Sequence, residues 1–486
     1  MTDKVVIRRL PTGVPGLDAL LGGGLAEYSF NLIAGAPGAG KTTLAHQIMF
    51  SLANPDRRAI FFTVLGEPPL KMLRYQQQYS YFDASKVNDS IRFINLGDEL
   101  LAGEYESVLK RIVEEVERFE PSLVLVDSFR SVVQSAKSAG LSDMDLQHFV
   151  QRLGMLLTTW QATTFLIGEY STPEVEANAI FTVADGILWL AQSVERNSMV
   201  RKIQVMKMRG QATIPGLHTF RISTDGLQIF PRTIGEARRP PGNDKNAAEV
   251  APERLSMGVV GLDEMMGGGL PVGYSLLVAG PTGSGKSQLA AAFLAEGARA
   301  GEKGIIAAFE NMPARTQKVR LDELIANGDV HVIDTRALDL SIDETLYAIT
   351  DMIDRTGARR VVIDSLSGFE LALAPSFRTD FRESLHRMIA VLTARNVAVM
   401  MISELEDRYT DLRFSPYGTA FLTDAIIVQR YVEMQGELRR VMAVVKIRNS
   451  AHSHELRPYE ITNDGIVIGP MRNDIEALLT GHPRPA

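Results

Sequence analysis

Cysteine is absent from the 486-residue sequence. Disulfides, thiolate metal sites and cysteine nucleophiles are therefore excluded together, and we expect a reducing, cytoplasmic setting. No apolar run approaches the roughly 20 residues that a membrane-spanning helix needs. The opening residues also lack the apolar core of a secretory leader. We therefore expect a chain that is neither exported nor inserted in a membrane.

Excess positive charge is also missing. The 51 Lys and Arg residues are outnumbered by 58 Asp and Glu residues, which gives a net charge of -7. Nucleic-acid backbones are bound by clustered Lys and Arg, so the composition argues against a nucleic-acid partner. The basic pair Arg238-Arg239 is followed directly by two prolines and is interpreted as part of a solvated linker.

Apolar residues are plentiful at 45%, and charged residues make up 22% of the chain. This composition is typical of a globular protein with large buried cores. A chain of this length exceeds one ordinary core, so its length predicts two or three domains.

The chain repeats itself almost from end to end. Gly16-Leu17-Asp18 and the later Gly22-Gly23-Gly24-Leu25 return as Gly261-Leu262-Asp263 and Gly267-Gly268-Gly269-Leu270. The separation is 245 residues for Asp18 and Asp263 and for Lys41 and Lys286, 237 for Asp127 and Asp364, and 239 for Lys207 and Lys446. Only loops change length between the copies, so the sequence predicts two equivalent domains. We assign residues 1–236 to the first, 237–252 to a linker and 253–486 to the second.

Short apolar runs alternate with segments of helical period in each copy. In the first copy these runs are Phe30 to Ala34, Ile60 to Val64, Leu123 to Val126 and Thr164 to Ile167. Their nearly continuous apolar character predicts parallel strands covered by helices on both faces, an α/β fold. The more alternating runs Val200 to Met206 and Leu217 to Ile222 predict an antiparallel extension of the same sheet.

Each copy contains a complete phosphate-loop (P-loop) motif, G-x-x-x-x-G-K-[ST], between a predicted strand and a predicted helix. The glycines let backbone N–H groups converge on phosphate oxygens, and the helix presents its positive end to the same anion. We expect the lysine to reach the β- and γ-phosphates of ATP and the hydroxyl to bind Mg²⁺. The predicted nucleotide-binding residues are Gly35, Ala36, Pro37, Gly38, Ala39, Gly40, Lys41, Thr42 and Thr43, and Gly280, Pro281, Thr282, Gly283, Ser284, Gly285, Lys286, Ser287 and Gln288.

Carboxylates follow two other buried strands. Asp127 ends the run Leu123 to Val126, and Asp364 ends the run Val361 to Ile363. An acid in this place, the Walker B position, helps to hold Mg²⁺. The predicted metal ligands are therefore Thr42 and Asp127 in the first copy, and Ser287 and Asp364 in the second.

Hydrolysis also needs a group that orients and deprotonates water beside the γ-phosphate. Glu67 and Glu310 each follow an apolar run and leave the carboxyl end of a predicted strand, where open α/β sheets bind ligands. They are our candidate bases.

These motifs, in this order, resemble the KaiC family of the RecA-like superfamily. The resemblance covers almost the whole chain and includes a Lys-x-Arg motif late in each copy, formed by Lys207 and Arg209 and by Lys446 and Arg448. It implies two RecA-like domains, ATP hydrolysis, and a hexameric ring with ATP between subunits. In the family the Lys-x-Arg cations reach the nucleotide of a neighbouring subunit. We therefore expect them to stabilise the transferred phosphoryl group, as an arginine finger does.

The resemblance also marks differences. The family carries two adjacent glutamates where this chain has Gly66-Glu67 and Glu310-Asn311, so the two domains are expected to hydrolyse ATP at different rates. Clock members phosphorylate themselves on adjacent Ser and Thr residues of the second domain. Aligned from Thr423, those two positions fall on Ala420 and Phe421, which have no hydroxyl, whereas Thr419 lies one residue away.

Three functions remain open at this point. The first is a ring ATPase that acts as a signalling or timing switch through partner binding. The second is a serine/threonine autokinase that uses Thr419 or another hydroxyl. The third is a RecA-type DNA-dependent ATPase, since a fold alone does not specify function; it requires a basic, aromatic-rich stretch that this sequence lacks.

Overall fold

The protein consists of two compact units, Met1–Arg232 and Thr233–Ala486. The computed structural model describes residues 7–64, 69–101, 105–132, 143–171, 179–195, 198–232, 253–309, 321–334, 341–405, 422–434, 436–463, 465–470, 475–476 and 484–485. The predicted linker lies outside these ranges. No described helix is both long and apolar enough to cross a bilayer.

The first domain is built on a nine-stranded sheet with the order β11-β10-β9-β8-β3-β7-β6-β4-β5. Its strands are β3 Phe30–Gly35, β4 Ala59–Thr63, β5 Ile91–Asn95, β6 Leu123–Asp127, β7 Thr163–Glu169, β8 Gly186–Glu195, β9 Ser198–Met208, β10 His218–Ser223 and β11 Gly226–Phe230, and a short ribbon pairs β1 Arg9–Leu10 with β2 Leu25–Ala26. Its helices are Leu17–Leu20, Lys41–Leu52, Pro69–Gln76, Gly97–Leu101, Tyr105–Phe119, Asp143–Thr159 and Ala179–Val183, with a 3₁₀ turn at Ala84–Lys86.

Strands β8, β3, β7, β6, β4 and β5 run parallel, and β9, β10 and β11 continue the sheet antiparallel. The four parallel strands and the antiparallel extension predicted from the sequence are thereby confirmed. Side chains alternate between the two faces: Ile33 and Leu125 belong to one buried cluster, whereas Leu32 and Val126 belong to the other. Helices cover both faces, which explains why these strands are apolar at nearly every position.

The second domain repeats this plan with the order β16-β15-β17-β18-β14-β19-β20-β21-β22. Its strands are β12 Arg254–Leu255, β13 Leu270–Pro271, β14 Ser275–Gly280, β15 Gly304–Ala308, β16 Val330–Asp334, β17 Arg360–Asp364, β18 Ala398–Glu404, β19 Ala425–Met434, β20 Glu437–Ile447, β21 Arg457–Thr462, β22 Gly465–Ile468, β23 Ile475–Glu476 and β24 Arg484–Pro485. Its helices are Val260–Met265, Lys286–Arg299, Leu321–Ala326, Ile342–Thr356, Leu366–Ala372, Pro375–Arg378 and Phe381–Ala394. The chain is thus a tandem of two RecA-like α/β domains.

The repeated Gly-Leu-Asp and Gly-Gly-Gly-Leu motif has a structural role. The Asp18 carboxylate accepts hydrogen bonds from the backbone N–H and the hydroxyl of Thr12, at 2.8 and 2.7 Å. Gly24 adopts φ 111°, and a Cβ there would lie 2.4 Å from the Leu10 carbonyl oxygen. Only glycine fits this approach, so the motif fixes the β1–β2 ribbon beside the sheet.

In the second domain a buried arginine stands where the first domain has a leucine. Arg360, the first residue of β17, is 2% exposed, and its guanidinium bonds to Glu302 at 2.7 Å and to the carbonyls of Ser256 and Phe293 at 2.7 and 2.8 Å. Arg359 bonds to the other Glu302 oxygen at 3.0 Å but is 36% exposed. The repeat pattern does not predict this network, because the equivalent strand β6 begins with Leu123.

We expect Arg360→Met to destabilise the second domain by about 3–5 kcal/mol, because Glu302 and two carbonyls lose a buried partner. The matched Arg359→Met should cost about 1 kcal/mol or less, since its pair is solvent-screened. Calorimetry measures both. Trp160 and Trp189, the two tryptophans of the chain, lie in the first domain, so their fluorescence is an internal control for its unfolding. Equal losses for the two variants would contradict the assignment.

Candidate functional site

The first P-loop lies between β3 and the helix Lys41–Leu52, as predicted. Gly35, Gly38 and Gly40 have φ values of 143°, 72° and 101°. A Cβ on Gly35 would lie 1.8 Å from the Leu190 carbonyl oxygen of the neighbouring strand β8. The loop therefore needs glycine both for its backbone conformation and for its close approach to β8.

Lys41 is folded back onto its own loop. Its Nζ donates to the Ala36 carbonyl at 2.7 Å and lies 3.9 Å from the Glu169 carboxylate, and its side chain is 7% exposed. Burial lowers the pKa of Lys41, and the charges of Glu169 and Asp127 oppose that shift. An ammonium held by one carbonyl and one distant carboxylate is a strong site for an additional anion.

Thr42 and Asp127 meet directly beside this lysine. The Thr42 hydroxyl donates to Asp127 Oδ2 at 2.6 Å. Burial raises the pKa of Asp127 to about 6, against the opposing effects of the Thr42 hydrogen bond and the Lys41 charge. A hydroxyl and a poorly solvated carboxylate side by side are suitable oxygen ligands for Mg²⁺, which keeps its other positions for water and phosphate.

These groups line one cleft with a volume of about 1110 Å³. Among the predicted residues, Ala36, Pro37, Gly38, Gly40, Lys41, Thr42, Thr43 and Asp127 line it. The wall also carries Arg130 and Arg201, and Arg201 Nε is buried without a hydrogen-bond partner among the described residues. Gly35 and Ala39 lie in the loop beneath. Three cations therefore face one cleft, an arrangement that suits a polyanion.

The second P-loop repeats this fold with different supporting contacts. Lys286 Nζ donates to the carbonyls of Gly280 and Pro281, both at 2.8 Å. The Thr282 hydroxyl bonds to Glu404, and the Ser284 hydroxyl donates to Gln429 Oε1 at 3.0 Å. The loop is therefore anchored to β18 and to β19 by its own side chains.

The predicted metal ligands of the second domain share a cleft as well. Ser287 and Asp364 line a cavity of about 340 Å³ together with Thr282, Gly283, Gly285, Lys286 and Gln288. In both domains the peptide bond after the acid is cis, at Asp127-Ser128 and Asp364-Ser365. The Ser365 hydroxyl then accepts the Gly368 N–H at 3.2 Å and caps the helix Leu366–Ala372.

The two candidate bases, Glu67 and Glu310, lie outside the described residues. The strands that lead to them are described. Thr63 ends β4 opposite Asp127, and Ala308 ends β15 opposite Asp364. The chain therefore leaves each strand level with the predicted metal ligand.

Lys207 and Arg209 lie close together at the end of β9. Lys207 Nζ donates to the carbonyls of Phe181 and Thr182 at 3.3 and 2.9 Å, and Arg209 Nη1 donates to Asp185 Oδ1 at 3.0 Å. Burial lowers the pKa of Lys207, with a further contribution from Arg209. The sequence identified both cations but not Asp185.

Lys446 and Arg448 repeat this geometry at the end of β20. Lys446 Nζ donates to the Thr423 carbonyl at 2.7 Å, and Arg448 Nη1 lies 3.5 Å from Asp424 Oδ1. Burial again lowers the pKa of Lys446, with a contribution from Arg448. Asn449, which stands where the first copy has Gly210, adopts φ 51° against 76° for that glycine, so the loop keeps its conformation.

Each P-loop follows the carboxyl end of a parallel strand. Both Lys-x-Arg motifs lie at the amino-terminal ends of the parallel strands, which is the opposite edge of the sheet. On β8, Leu190 is level with Gly35, whereas Lys207 is level with Ile187 and the Arg209 N–H bonds to the Asp185 carbonyl. At about 3.3 Å per residue, Asp185 lies about 17 Å below the P-loop along the strand. The structure therefore separates these cations from the other predicted site residues.

Two pairs of charged residues escaped the sequence analysis. Glu169 and Glu404 end equivalent strands, β7 and β18, and contact Lys41 and Thr282 of their own P-loops. Arg201 and Arg440 each precede the lysine of the Lys-x-Arg motif by the same interval, and Arg440 Nε donates to the Gly283 carbonyl at 3.3 Å. A comparison of the two repeats for charge, rather than for known motifs, would have found all four.

The segment aligned with the family's phosphorylation sites, including Thr419, Ala420 and Phe421, lies outside the described residues. The autokinase hypothesis therefore stays a prediction from the sequence.

The raised pKa of Asp127 predicts a pH-dependent stability. The folded carboxyl holds its proton more tightly than the unfolded one, so stability falls as pH rises from about 4 to about 6, and the penalty at neutral pH is about 2–3 kcal/mol. We expect Asp127→Asn to stabilise the nucleotide-free protein by that amount at pH 7.5. At pH 4 we expect the variant and the parent to be equally stable. Thermal unfolding followed by tryptophan fluorescence measures this. The exposed Asp225→Asn is the control, and an Asp127→Asn variant less stable at pH 7.5 would contradict the prediction.

The chain is similar to known proteins over nearly its whole length. The chain matches the family model "ATPase: KaiC" twice, over residues 10–234 and 255–473. It is 28% identical over 494 residues to the Circadian clock oscillator protein KaiC of Rippkaea orientalis, covering 98% of this chain and 92% of that protein. It is 27% identical over 496 residues to the protein of the same name from Prochlorococcus marinus, covering 99% and 97%.

The Circadian clock oscillator protein KaiC 1 of Synechocystis sp. is similarly related, at 27% identity over 492 residues, covering 98% of this chain and 92% of that protein. The family model matches both halves, and its two matched ranges include both P-loops and both Lys-x-Arg motifs. This chain belongs to the KaiC ATPase family.

Proposed function

We propose that this protein binds Mg²⁺-ATP at both P-loops, hydrolyses it at interfaces between copies of itself in a hexameric ring, and acts through partner binding as a signalling or timing switch. The observation that carries this proposal is the position of the Lys-x-Arg cations. They lie at the opposite edge of the sheet from their own P-loop and cannot reach its nucleotide.

Nucleotide binding rests on the two clefts. In the first, backbone N–H groups of Gly38 and Gly40 and the positive end of the helix Lys41–Leu52 would hold the phosphates. Lys41 would exchange its bond to the Ala36 carbonyl for the β- and γ-phosphates. Arg201 Nε, which has no hydrogen-bond partner within the described part of the chain, would gain an anion. The second P-loop offers the same groups through Gly283, Gly285 and Lys286.

Four residues would hold the metal ion: Thr42 and Asp127 in the first domain, and Ser287 and Asp364 in the second. Their oxygens fit a hard cation, and burial, which raises the pKa of Asp127, leaves its carboxylate poorly solvated. Mg²⁺, when bound with ATP, neutralises charge on the phosphate oxygens.

The chemical step is attack of water on the γ-phosphorus. Glu67 or Glu310 would accept the proton of that water, the bond between the γ-phosphorus and its bridging oxygen would break, and ADP and phosphate would leave. The register of β4 and β15 supports this role, because each strand ends level with the predicted metal ligand.

Oligomerisation follows from where the cations lie. If Lys207 and Arg209 serve a nucleotide, that nucleotide lies at a different P-loop, and we place it in another copy of the chain. The contact is then head-to-tail, and such contacts close into a ring when the rotation permits. Six subunits are expected by analogy with the family. The relatives are named as clock oscillator proteins, and a timing role for this chain is proposed on that similarity.

Complementation between two inactive variants tests the shared site. We expect Lys41→Ala and Arg209→Ala, each in a Lys286→Ala background, to lose ATP turnover by about 10³-fold or more. Subunits mixed from the two should recover activity, because one supplies an intact P-loop and its neighbour supplies the arginine. ATP turnover and light scattering with and without Mg²⁺-ATP measure this.

The control is a mixture of Lys41→Ala with a Lys41→Ala/Arg209→Ala double variant, which contains no intact P-loop and should stay inactive. Failure of the first mixture to recover, in rings that light scattering shows to be assembled, would refute the shared site. So would a monomer that hydrolyses ATP at the full rate.

The two candidate bases can be compared separately. Glu67→Gln in a Lys286→Ala background and Glu310→Gln in a Lys41→Ala background should each lower turnover by about 10²- to 10⁴-fold, with little change in nucleotide affinity, because Gln cannot accept the proton. Turnover and nucleotide binding measure this, with Glu114→Gln on an exposed helix face as the control. Unchanged turnover would remove that glutamate from the mechanism.

A further inference from the structure

In each domain one aspartate binds the arginine of the Lys-x-Arg motif. Asp185 follows the helix Ala179–Val183 and directly precedes β8. Its carbonyl accepts the Arg209 backbone N–H at 2.9 Å, and its Oδ1 accepts Arg209 Nη1 at 3.0 Å. Asp185 therefore bonds both the backbone and the guanidinium of the same arginine.

The same aspartate is itself fixed by the strand that carries the P-loop. Its N–H donates to the Phe30 carbonyl at 2.7 Å, and its Oδ2 accepts the Phe30 N–H at 3.1 Å. Phe30 is the first residue of β3, and Gly35 is the last. Four hydrogen bonds therefore join the arginine to the base of β3 through one residue.

The second domain repeats this arrangement with a different sequence around it. Asp424 bonds the Arg448 N–H through its carbonyl at 2.9 Å, and Arg448 Nη1 lies 3.5 Å from its Oδ1. Its Oδ2 accepts the N–H and the hydroxyl of Ser275, the first residue of β14, at 3.0 and 2.8 Å. The recurrence in two domains that differ elsewhere argues for a shared role rather than a local accident of packing.

The arginine needs this support because it is otherwise exposed. The side chains of Arg209 and Arg448 are 60% and 47% exposed, and those of Asp185 and Asp424 only 33% and 20%. A long exposed side chain samples many rotamers, and a catalytic cation that is misplaced by about 1 Å can lose about 100-fold in rate. A fixed carboxylate removes most of those rotamers before the neighbour arrives.

We propose that Asp185 and Asp424 are positioning residues that hold the arginine each subunit presents to its neighbour. This inference rests on the shared site proposed above. Neither aspartate would touch a nucleotide held by the P-loop of its own domain, because both lie at the edge of the sheet opposite that loop. Their effect on hydrolysis is therefore exerted in the adjoining subunit.

The test uses Asp185→Asn, which keeps an oxygen for the Phe30 N–H but weakens the ion pair to Arg209. In the Lys286→Ala background we expect turnover to fall about 10- to 100-fold with unchanged KM for ATP. Asp185→Glu, whose carboxylate is displaced by one methylene, should have a turnover between those of the parent and Asp185→Asn. The exposed Asp225→Asn is the control, and tryptophan fluorescence checks that the first domain stays folded.

Mixed rings show in which subunit the aspartate acts. When Asp185→Asn is placed in the Lys41→Ala subunit, which donates the arginine, the mixture with Arg209→Ala should lose its recovered activity by the same 10- to 100-fold. When it is placed in the Arg209→Ala subunit, which donates the P-loop, the mixture should match the reference. A residue needed only for folding would lower both mixtures alike.

The outcomes separate this inference from the proposed function. If the reference mixture of Lys41→Ala and Arg209→Ala stays inactive, the shared site itself fails. If the reference mixture recovers and Asp185→Asn in the arginine donor leaves it unchanged, the shared site stands and the positioning role is wrong. Equal losses in both placements would also overturn the positioning role.

Discussion

Parallel strand packing is the constraint on which this site depends. Because β3 and β8 run in the same direction, the P-loop leaves β3 at one edge of the sheet, and Asp185, which directly precedes β8, lies at the other. One domain therefore carries its P-loop on one edge and a cation pair on the opposite edge. The proposed shared site would need both edges, and two copies of the chain are a simple way to bring them together.

The duplicated scaffold is held together differently in the two halves. In the second domain Arg360 pairs with Glu302 at the start of β17, where the equivalent strand β6 of the first domain begins with the apolar Leu123. The P-loop of the second domain is tied to Glu404 through Thr282, a position that is Pro37 in the first copy. Gly38 and Gly40 have nearly the same φ as Gly283 and Gly285, and both halves keep the aspartate beside the Lys-x-Arg arginine. These shared features are the ones that the proposed chemistry uses.

Burying the charged side chains of the site lowers the stability of the folded protein. Lys41 and Asp127 are both poorly solvated, and burial moves the pKa of each toward its neutral form. Bound phosphate and metal would supply the missing partners. The free energy that burying these two charges costs the fold is of the kind that a bound anion and cation can recover, which is the usual trade between stability and function at such sites.

The sequence alone determined the two-domain α/β fold, the positions of the P-loops and the strands that carry Asp127 and Asp364, because glycine spacing and apolar runs are local patterns that the backbone must obey. It also identified Lys207 and Arg209, through the resemblance to a family. It did not determine that these cations lie across the sheet from their own P-loop, or that Asp185 fixes Arg209 to the base of β3. The position of the cations relative to the P-loop and the bonds from Asp185 to β3 join residues more than a hundred positions apart, and only the order and direction of the strands decide them.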